Sequence, residues 1–309
     1  MFTEKSSNLM GTVIRCGVAH PQHQALLDEA FNRLREYEHI FSANDPSSHL
    51  MQINRQAGRQ AVKVPQDLFD LIKIGKRESL KVEGLLNIAI GPLIKLWHVG
   101  FKDAQQPSQD SINRTLPFVD PNNIILDEEQ QTIFLKEKGM EIDLGALAKG
   151  YFADQIMAYF KSEQASAGFI DLGGNVLTFG KSPRETSDAW HIGIQNPALP
   201  RGNNALVLKI NDLSVVTSGI YERNLKRDGH IFHHIFDSKT GYPVVNDLAS
   251  LTIISKQSLD GEIWTTQLFG KPAAAIIKQV NQIEGIEAIV ITKDNQMATS
   301  QNAMKNQLP

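Results

Sequence analysis

The 309-residue chain has a single cysteine, Cys16, so no internal disulfide can form. No Cys/His spacing of the kind that holds zinc or an iron–sulfur cluster accompanies it, and among its apolar neighbours it reads as a small core residue of a first strand. The sequence also lacks any run approaching the roughly 20 apolar residues of a membrane helix. Met1 to Met10 contains no apolar core of a secretory signal. Val13-Ile-Arg-Cys16 has no preceding hydrophobic region that would make it a lipidation site. The expectation is a cytoplasmic protein without membrane insertion, or a periplasmic one if the sequence is a processed form. An excess of one charge is missing too: 31 Lys and Arg stand against 34 Asp and Glu, a net charge of -3. That balance gives no electrostatic basis for binding nucleic acid. With 41% hydrophobic and 21% charged residues the composition is not that of a disordered chain. There is no internal repeat, and the length suffices for a substantial core. The chain reads as one compact unit over residues 10–300, with 1–9 and 303–309 as flexible ends.

What is present is a series of strands that end in glycine and polar side chains. In Glu141-Ile-Asp-Leu-Gly-Ala-Leu-Ala-Lys-Gly150 a short strand carrying Asp143 breaks at Gly145 and restarts as a helix carrying Lys149. Glycine permits a sharp turn and close ligand approach, and the first helical turn offers unpaired N–H groups to an anion. The pattern suits a phosphorylated ligand; it also suits an ordinary strand-to-helix turn with a surface lysine. Asp143 is either a ligand-facing carboxylate or a helix cap. Gly173-Gly-Asn175, Thr217-Ser-Gly219 and His233-His-Ile-Phe-Asp237 repeat the theme. His233 and His234 are adjacent on a strand, so one faces away from whatever the other faces.

Periodicity supplies the elements. A strand over 11–19 precedes a helix over 24–41, where Ala25, Leu26, Ala30, Leu34, Tyr37 and Phe41 recur at helical spacing. Pro65 opens a second helix over 65–81. Residues 102–123 read as a loop with a short helix, 145–161 as a helix, and 168–254 mainly as strands. Residues 260–283 read as helical with a break at Gly270-Lys-Pro272, followed by a strand over 287–292. Runs of strands with segregated helices give an α+β fold. Glu262, Thr265 and Thr266 share one helical face. They are either a solvated glutamate with helix-propping threonines or oxygen ligands for a hard cation.

In number and order these segments resemble the ApbE family, the FAD:protein FMN transferases. The likeness runs from Met10-Gly-Thr12 to about residue 300, through Phe41-Ser42 with Ser48 and Asn54, and Ile90-Gly-Pro-Leu-Ile-Lys-Leu-Trp97. It continues through Ile142-Asp-Leu-Gly-Ala-Leu-Ala-Lys-Gly150, Gly173-Gly-Asn175 and His191-Ile-Gly-Ile-Gln-Asn-Pro197. Thr217-Ser-Gly219, His234-Ile-Phe-Asp237 with Thr240-Gly241, and Glu262-Ile-Trp-Thr-Thr266 complete it. The resemblance implies a T-fold-like core of mostly antiparallel sheet covered by helices. It also implies an enzyme that uses Mg²⁺ to split FAD, joins the FMN moiety through a phosphoester to a Thr or Ser hydroxyl of a partner flavoprotein, and releases AMP.

On that resemblance Glu262, Thr265 and Thr266, with the backbone carbonyl of Ala146, hold Mg²⁺. Lys149 neutralises the pyrophosphate and Asp143 contacts the flavin nucleotide. His234, whose unperturbed pKa would be about 6.5, relays a proton from the acceptor hydroxyl or holds the flavin. Asp237 orients His234 or caps the following turn. Met10, Leu85, Leu86 and Asn87 fall where relatives contact FAD, although the two leucines read equally well as core. Three departures stand out: Glu262 where Asp is usual, Leu86-Asn87-Ile88 where Phe-Asp-Pro is common, and Asn44 where many transferases carry Tyr. Losing that ring removes a stacking surface worth about 1 kcal/mol and opens the pyrophosphate to water. Asn44 therefore keeps an FAD pyrophosphatase as an alternative, and Glu262 and Asn87 keep a non-catalytic FAD-binding protein.

Overall fold

The computed structural model describes residues 1–184, 186, 188–221, 224–227 and 230–306. Its frame is an eight-stranded sheet. The strands are β1 (Phe2–Leu9), β2 (Thr12–Ala19), β3 (Ala167–Leu172), β4 (Asn175–Phe179), β5 (Ser214–Gly219), β6 (Leu248–Ser255), β7 (Glu287–Thr292) and β8 (Met297–Thr299). Each pairs antiparallel with the next, so spatial order equals chain order. The expected α+β class with a mostly antiparallel sheet is the fold observed.

Side-chain alternation divides the sheet into two faces. Ile14, Cys16 and Val18 of β2 and Ile170 and Leu172 of β3 point into one large cluster. Ala288 and Val290 of β7 join a second helical cluster, while Ile289 and Ile291 face a third cluster on the opposite side. The helices are α1 (His23–Phe41), α2 (His49–Arg55), α3 (Gln66–Ser79), α4 (Gly91–Trp97), α5 (Gln109–Thr115), α6 (Ala148–Ser162), α7 (Ser258–Leu268) and α8 (Ala273–Val280). α1 and α6 cover the first half of the sheet, α7 and α8 the second. The opposite face is closed by a hairpin of strands Trp190–Gln195 and Asn204–Ile210, which packs Trp190, Leu206 and Leu208 against Phe169 and Ile289.

Helices α6 and α7 meet at very short range. A Cβ on Gly150 would lie 2.6 Å from the Ser258 carbonyl oxygen and 2.8 Å from Leu259 Cα, both backbone atoms that cannot give way. One turn further along α6, the Asp154 carboxylate accepts the Ser258 and Leu259 N–H groups at 2.8 and 2.9 Å. A side chain of one helix thus caps the next, satisfying donors that the start of α7 leaves open.

Several expectations change. Residues 1–9, expected to be loose, contain β1, held by backbone pairing to β2 and by the packing of Phe2 and Leu9 on core clusters. At the other end a 3-10 turn spans Ala303–Asn306 with Ala303 buried, and 307–309 lie outside the described residues. The segment around Asp143 is not a strand. Instead the Asn54 side chain pairs with the Ile142 backbone, Nδ2 donating at 3.0 Å and Oδ1 accepting at 2.8 Å, as a neighbouring strand would. Among the described residues no helix is long and apolar enough to cross a membrane.

Burial raises the Asp154 pKa from 3.8 to about 6 against the two N–H groups that favour its charge. The native state therefore binds the extra proton between those values, and this group's contribution to stability falls as pH rises from about 4 to about 6. In urea titrations at stepped pH, Asp154→Asn should flatten that segment of the stability curve relative to the parent; identical slopes would contradict the assignment.

Candidate active site

The approach to α6 is built from buried anchors and an open turn. Ile142, Leu144 and Leu147 are buried while Gly145 and Ala146 between them are exposed. The Asp143 backbone donates to the Ile88 carbonyl at 2.9 Å, and Asp143 Oδ1 accepts the Gly145 N–H at 2.8 Å. Asp143 thus shapes the turn before the helix and does not occupy the helix's own cap position, which falls to Leu147, a residue with no side-chain cap bond. The helix begins at Ala148 rather than 145, placing Lys149 in its first turn, where the macrodipole favours negative charge.

Across from Lys149 stands Glu262 of α7, its Oε1 3.8 Å from the Lys149 ammonium. Glu262 is 5% exposed, and its Oε1 also accepts the Asn175 amide at 2.8 Å. Asn175 is fixed at its other end by the Ser258 hydroxyl, which donates to Oδ1 at 2.6 Å. Burial raises the Glu262 pKa, with the Lys149 charge and the Asn175 hydrogen bond opposing. Thr265 is fully buried and its hydroxyl donates to the Glu262 carbonyl at 3.1 Å, so its side chain props the helix. Thr266 is half-buried, one turn beyond Glu262.

Among the described residues no group of three or more His, Cys, Asp or Glu could hold a metal ion. A hard cation here would draw on one carboxylate, a hydroxyl, backbone carbonyls and ligand phosphate, a donor set that suits Mg²⁺. The residues fit it in one specific respect: among the described residues, Glu262 is a buried carboxylate offset by one amide and an ammonium at 3.8 Å.

The histidine corner lies after β5. Strand His230–His233 ends in a bend at His234, and strand Phe236–Asp237 pairs with Tyr242–Pro243. His233 is buried and His234 half-buried, so the two differ in environment as their adjacency implied. Asp237 Oδ1 accepts the Lys239 N–H at 2.8 Å and the Asp237 carbonyl accepts the Gly241 N–H at 2.8 Å; the carboxylate caps the turn. Gly241 turns at φ +75°, and its carbonyl takes the indole N–H of fully buried Trp97 at 2.9 Å.

The remaining candidates spread out. Leu86 is 2% exposed within the main core, and Leu85 packs on the α7–α8 cluster beside Gly270, so both take the core reading. Asn87 uses both ends of its amide on backbone, accepting from Ala89 N–H and donating to the Val119 carbonyl, each at 2.8 Å. Met10 sits at φ 52° in the β1–β2 turn, its N–H donating to Glu38 at 2.7 Å, beside an open depression of about 440 Å³. Asn44 is exposed in the loop after α1, its N–H bonded to the Ser42 hydroxyl at 3.1 Å. Asn175, Ser258 and Asp154 join the site only through the fold. A carboxylate on the apolar face of α6, between Ala153 and Ile156, was the available signal for Asp154.

Comparison with known proteins adds a consistent result. The ApbE family model matches residues 10–290. A protein of Klebsiella pneumoniae (strain 342) named FAD:protein FMN transferase is 40% identical over 295 residues, covering 96% of this chain and 90% of its own. One of the same name from Treponema pallidum (strain Nichols) is 33% identical, covering 89% and 79%. The crystal structure of the ApbE protein from Thermotoga maritima superposes with a TM-score of 0.90 over all of both chains at 25% identity.

Because the Lys149 charge lowers the Glu262 pKa, Lys149→Met should shift the carboxyl titration of Glu262 upward. Carboxyl ¹³C chemical shifts followed against pH would reveal it, and an unchanged titration would mean the pair does not interact.

Proposed function

This chain belongs to the ApbE family, and we propose that it transfers the FMN portion of FAD to a Thr or Ser hydroxyl of a partner flavoprotein. The observation that carries the reading is the pairing of Lys149, at the start of a helix, with the buried carboxylate of Glu262 on a second helix. It occurs in a chain 40% identical to a protein named for this reaction. The acceptor oxygen bonds to the FMN-side phosphorus, the bond from that phosphorus to the bridging oxygen breaks, and AMP departs with that oxygen. The hydroxyl proton passes to His234.

Each residue has a part consistent with its surroundings. Lys149 and the amino end of α6 attract the pyrophosphate and offset the charge that grows on it during transfer. Glu262, Thr266 and the Ala146 carbonyl would hold Mg²⁺, which supplies further positive charge at the phosphates. Thr265 gives its hydroxyl proton to the Glu262 carbonyl, which leaves its oxygen lone pairs to join Glu262, Thr266 and the Ala146 carbonyl around the ion. Asp143 keeps the 145–147 turn open for the nucleotide. Met10 flanks the site through its backbone turn, and Leu85, Leu86 and Asn87 act as the wall that supports it.

FAD hydrolysis to FMN and AMP is the second reading, favoured by the exposure of Asn44 where an aromatic ring would shield one side. With FAD and Mg²⁺, Glu262→Ala, Thr266→Ala and Lys149→Ala should each lower AMP release by about 10²-fold or more, the scale of removing one charge-stabilising group. Chelation of divalent metal should do the same to the parent protein. Normal turnover in any of these at limiting Mg²⁺ removes that residue from the site.

Asn44→Tyr should lower the ratio of free FMN to protein-bound FMN, because water and the acceptor compete for one phosphorus. Equal ratios for the parent and the variant would make Asn44 an ordinary loop residue.

A further inference from the structure

His233 makes a contact that its position in the strand does not require. Its side chain is 4% exposed, its ring edge-on to Phe269 with centroids 6.1 Å apart and planes at 70°. Nδ1 accepts the N–H of Ile235 at 3.2 Å. The bond joins residues i and i+2 across His234, the same closure that an Asn or Asp side chain makes in an Asx turn. With Nδ1 as acceptor the ring proton stands on Nε2, a buried atom that makes no well-formed hydrogen bond among the described residues. An unpaired buried donor costs free energy, so the imidazole is not held there by the number of bonds it makes.

Burial also keeps the ring uncharged. It lowers the pKa to about 4, with His234 and Lys293 acting in the same direction and the nearby Val244 carbonyl opposing. A protonated ring would set Nδ1–H against the Ile235 N–H, two donors face to face, so neutrality preserves the bracket. On the far side of His234 the chain is fixed independently. The Ile235 carbonyl accepts the Val244 N–H at 2.9 Å, and the Asp237 turn is tied to Trp97 through Gly241. The bend at His234 is held from both ends, and on the amino-terminal end the hold is the His233 side chain.

We propose that His233 is a positioning residue: its Nδ1 holds the Ile235 amide across His234 and so sets the backbone from which His234 meets the acceptor hydroxyl. The proposal rests on the role given to His234 above. Two substitutions separate volume from hydrogen bonding. His233→Leu fills the space without an acceptor; His233→Asn supplies an acceptor at the same i to i+2 reach but leaves a gap beside Phe269.

The measurements are kcat and KM for AMP release from FAD with Mg²⁺, Tm, and hydrogen exchange of the Ile235 amide by NMR. His233→Leu should keep Tm close to the parent, speed Ile235 exchange, and lower kcat by about 10²-fold with KM nearly unchanged, the scale of a small misplacement at a reacting centre. His233→Asn should lose Tm yet retain slow exchange and most of kcat. Slow Ile235 exchange in His233→Leu, or kcat that follows Tm through both variants, overturns the proposal. His234→Ala is measured in parallel. If it releases AMP normally, the role of His234 is wrong, while Ile235 exchange still decides whether His233 is the bracket.

Discussion

The absence of a side chain at Gly150 lets two helix backbones touch, and the candidate site depends on that contact. Gly150 and Asp154 are four residues apart on α6, as Ser258 and Glu262 are on α7, so each pair lies on one helical face. The first pair meets the second: Gly150 against the Ser258 carbonyl and Glu262 Cγ, Asp154 against the first N–H groups of α7. Lys149, next to the contact, is thereby carried to 3.8 Å from Glu262. A larger residue at 150 would meet the Ser258 carbonyl and the Glu262 side chain together, pushing the helices apart and displacing the carboxylate from Lys149.

Burying a carboxylate is unfavourable unless something offsets its charge. Around Glu262 the protein supplies little, and what it supplies comes from separate layers. Asn175 reaches from the sheet at the start of β4, and Lys149 from the first turn of α6. Asn175 is itself oriented by Ser258, so one amide links the sheet to both the start and the second turn of α7. The result is an anionic group with a fixed direction and an elevated proton affinity, next to a cation on a helix start. Such an arrangement favours a ligand that brings both negative phosphates and a compensating metal ion.

Much of this was readable before the fold was known, because the relevant signals are local. The α1 pattern from Ala25 to Phe41 requires only a 3.6-residue period, and the break at Gly270-Lys-Pro272 requires only proline chemistry; the helices begin within two residues of expectation, and the last ends at Val280, three residues short of the expected 283. What was missed depends on contacts across long stretches of chain. Asn54 standing in for a strand partner of Ile142 spans 88 residues, and the Asp154 cap on α7 spans 104. Asp143 illustrates the same limit, since alternation of apolar residues cannot distinguish a strand from an extended segment held by one amide side chain and a backbone bond to Ile88. β1, within the expected loose end, carries the polar run Thr3 to Asn8 and shows no apolar alternation. Pairing of its backbone with β2 holds it regardless.

A sheet in which each strand joins the one before it can be laid down in the order the ribosome delivers it. Domains generally fold as units, amino-terminal parts first, during synthesis at about 5–20 residues per second. Once residue 219 has emerged from the exit tunnel, β1 to β5 can already be paired and α6 docked against them. Lys149 then stands at the start of its helix with no carboxylate opposite, because Glu262 has yet to be delivered on α7. For the interval between those two points a nascent chain has most of its framework but only the cationic half of its site. The buried carboxylate that pairs with Lys149 arrives only with α7, near the end of translation.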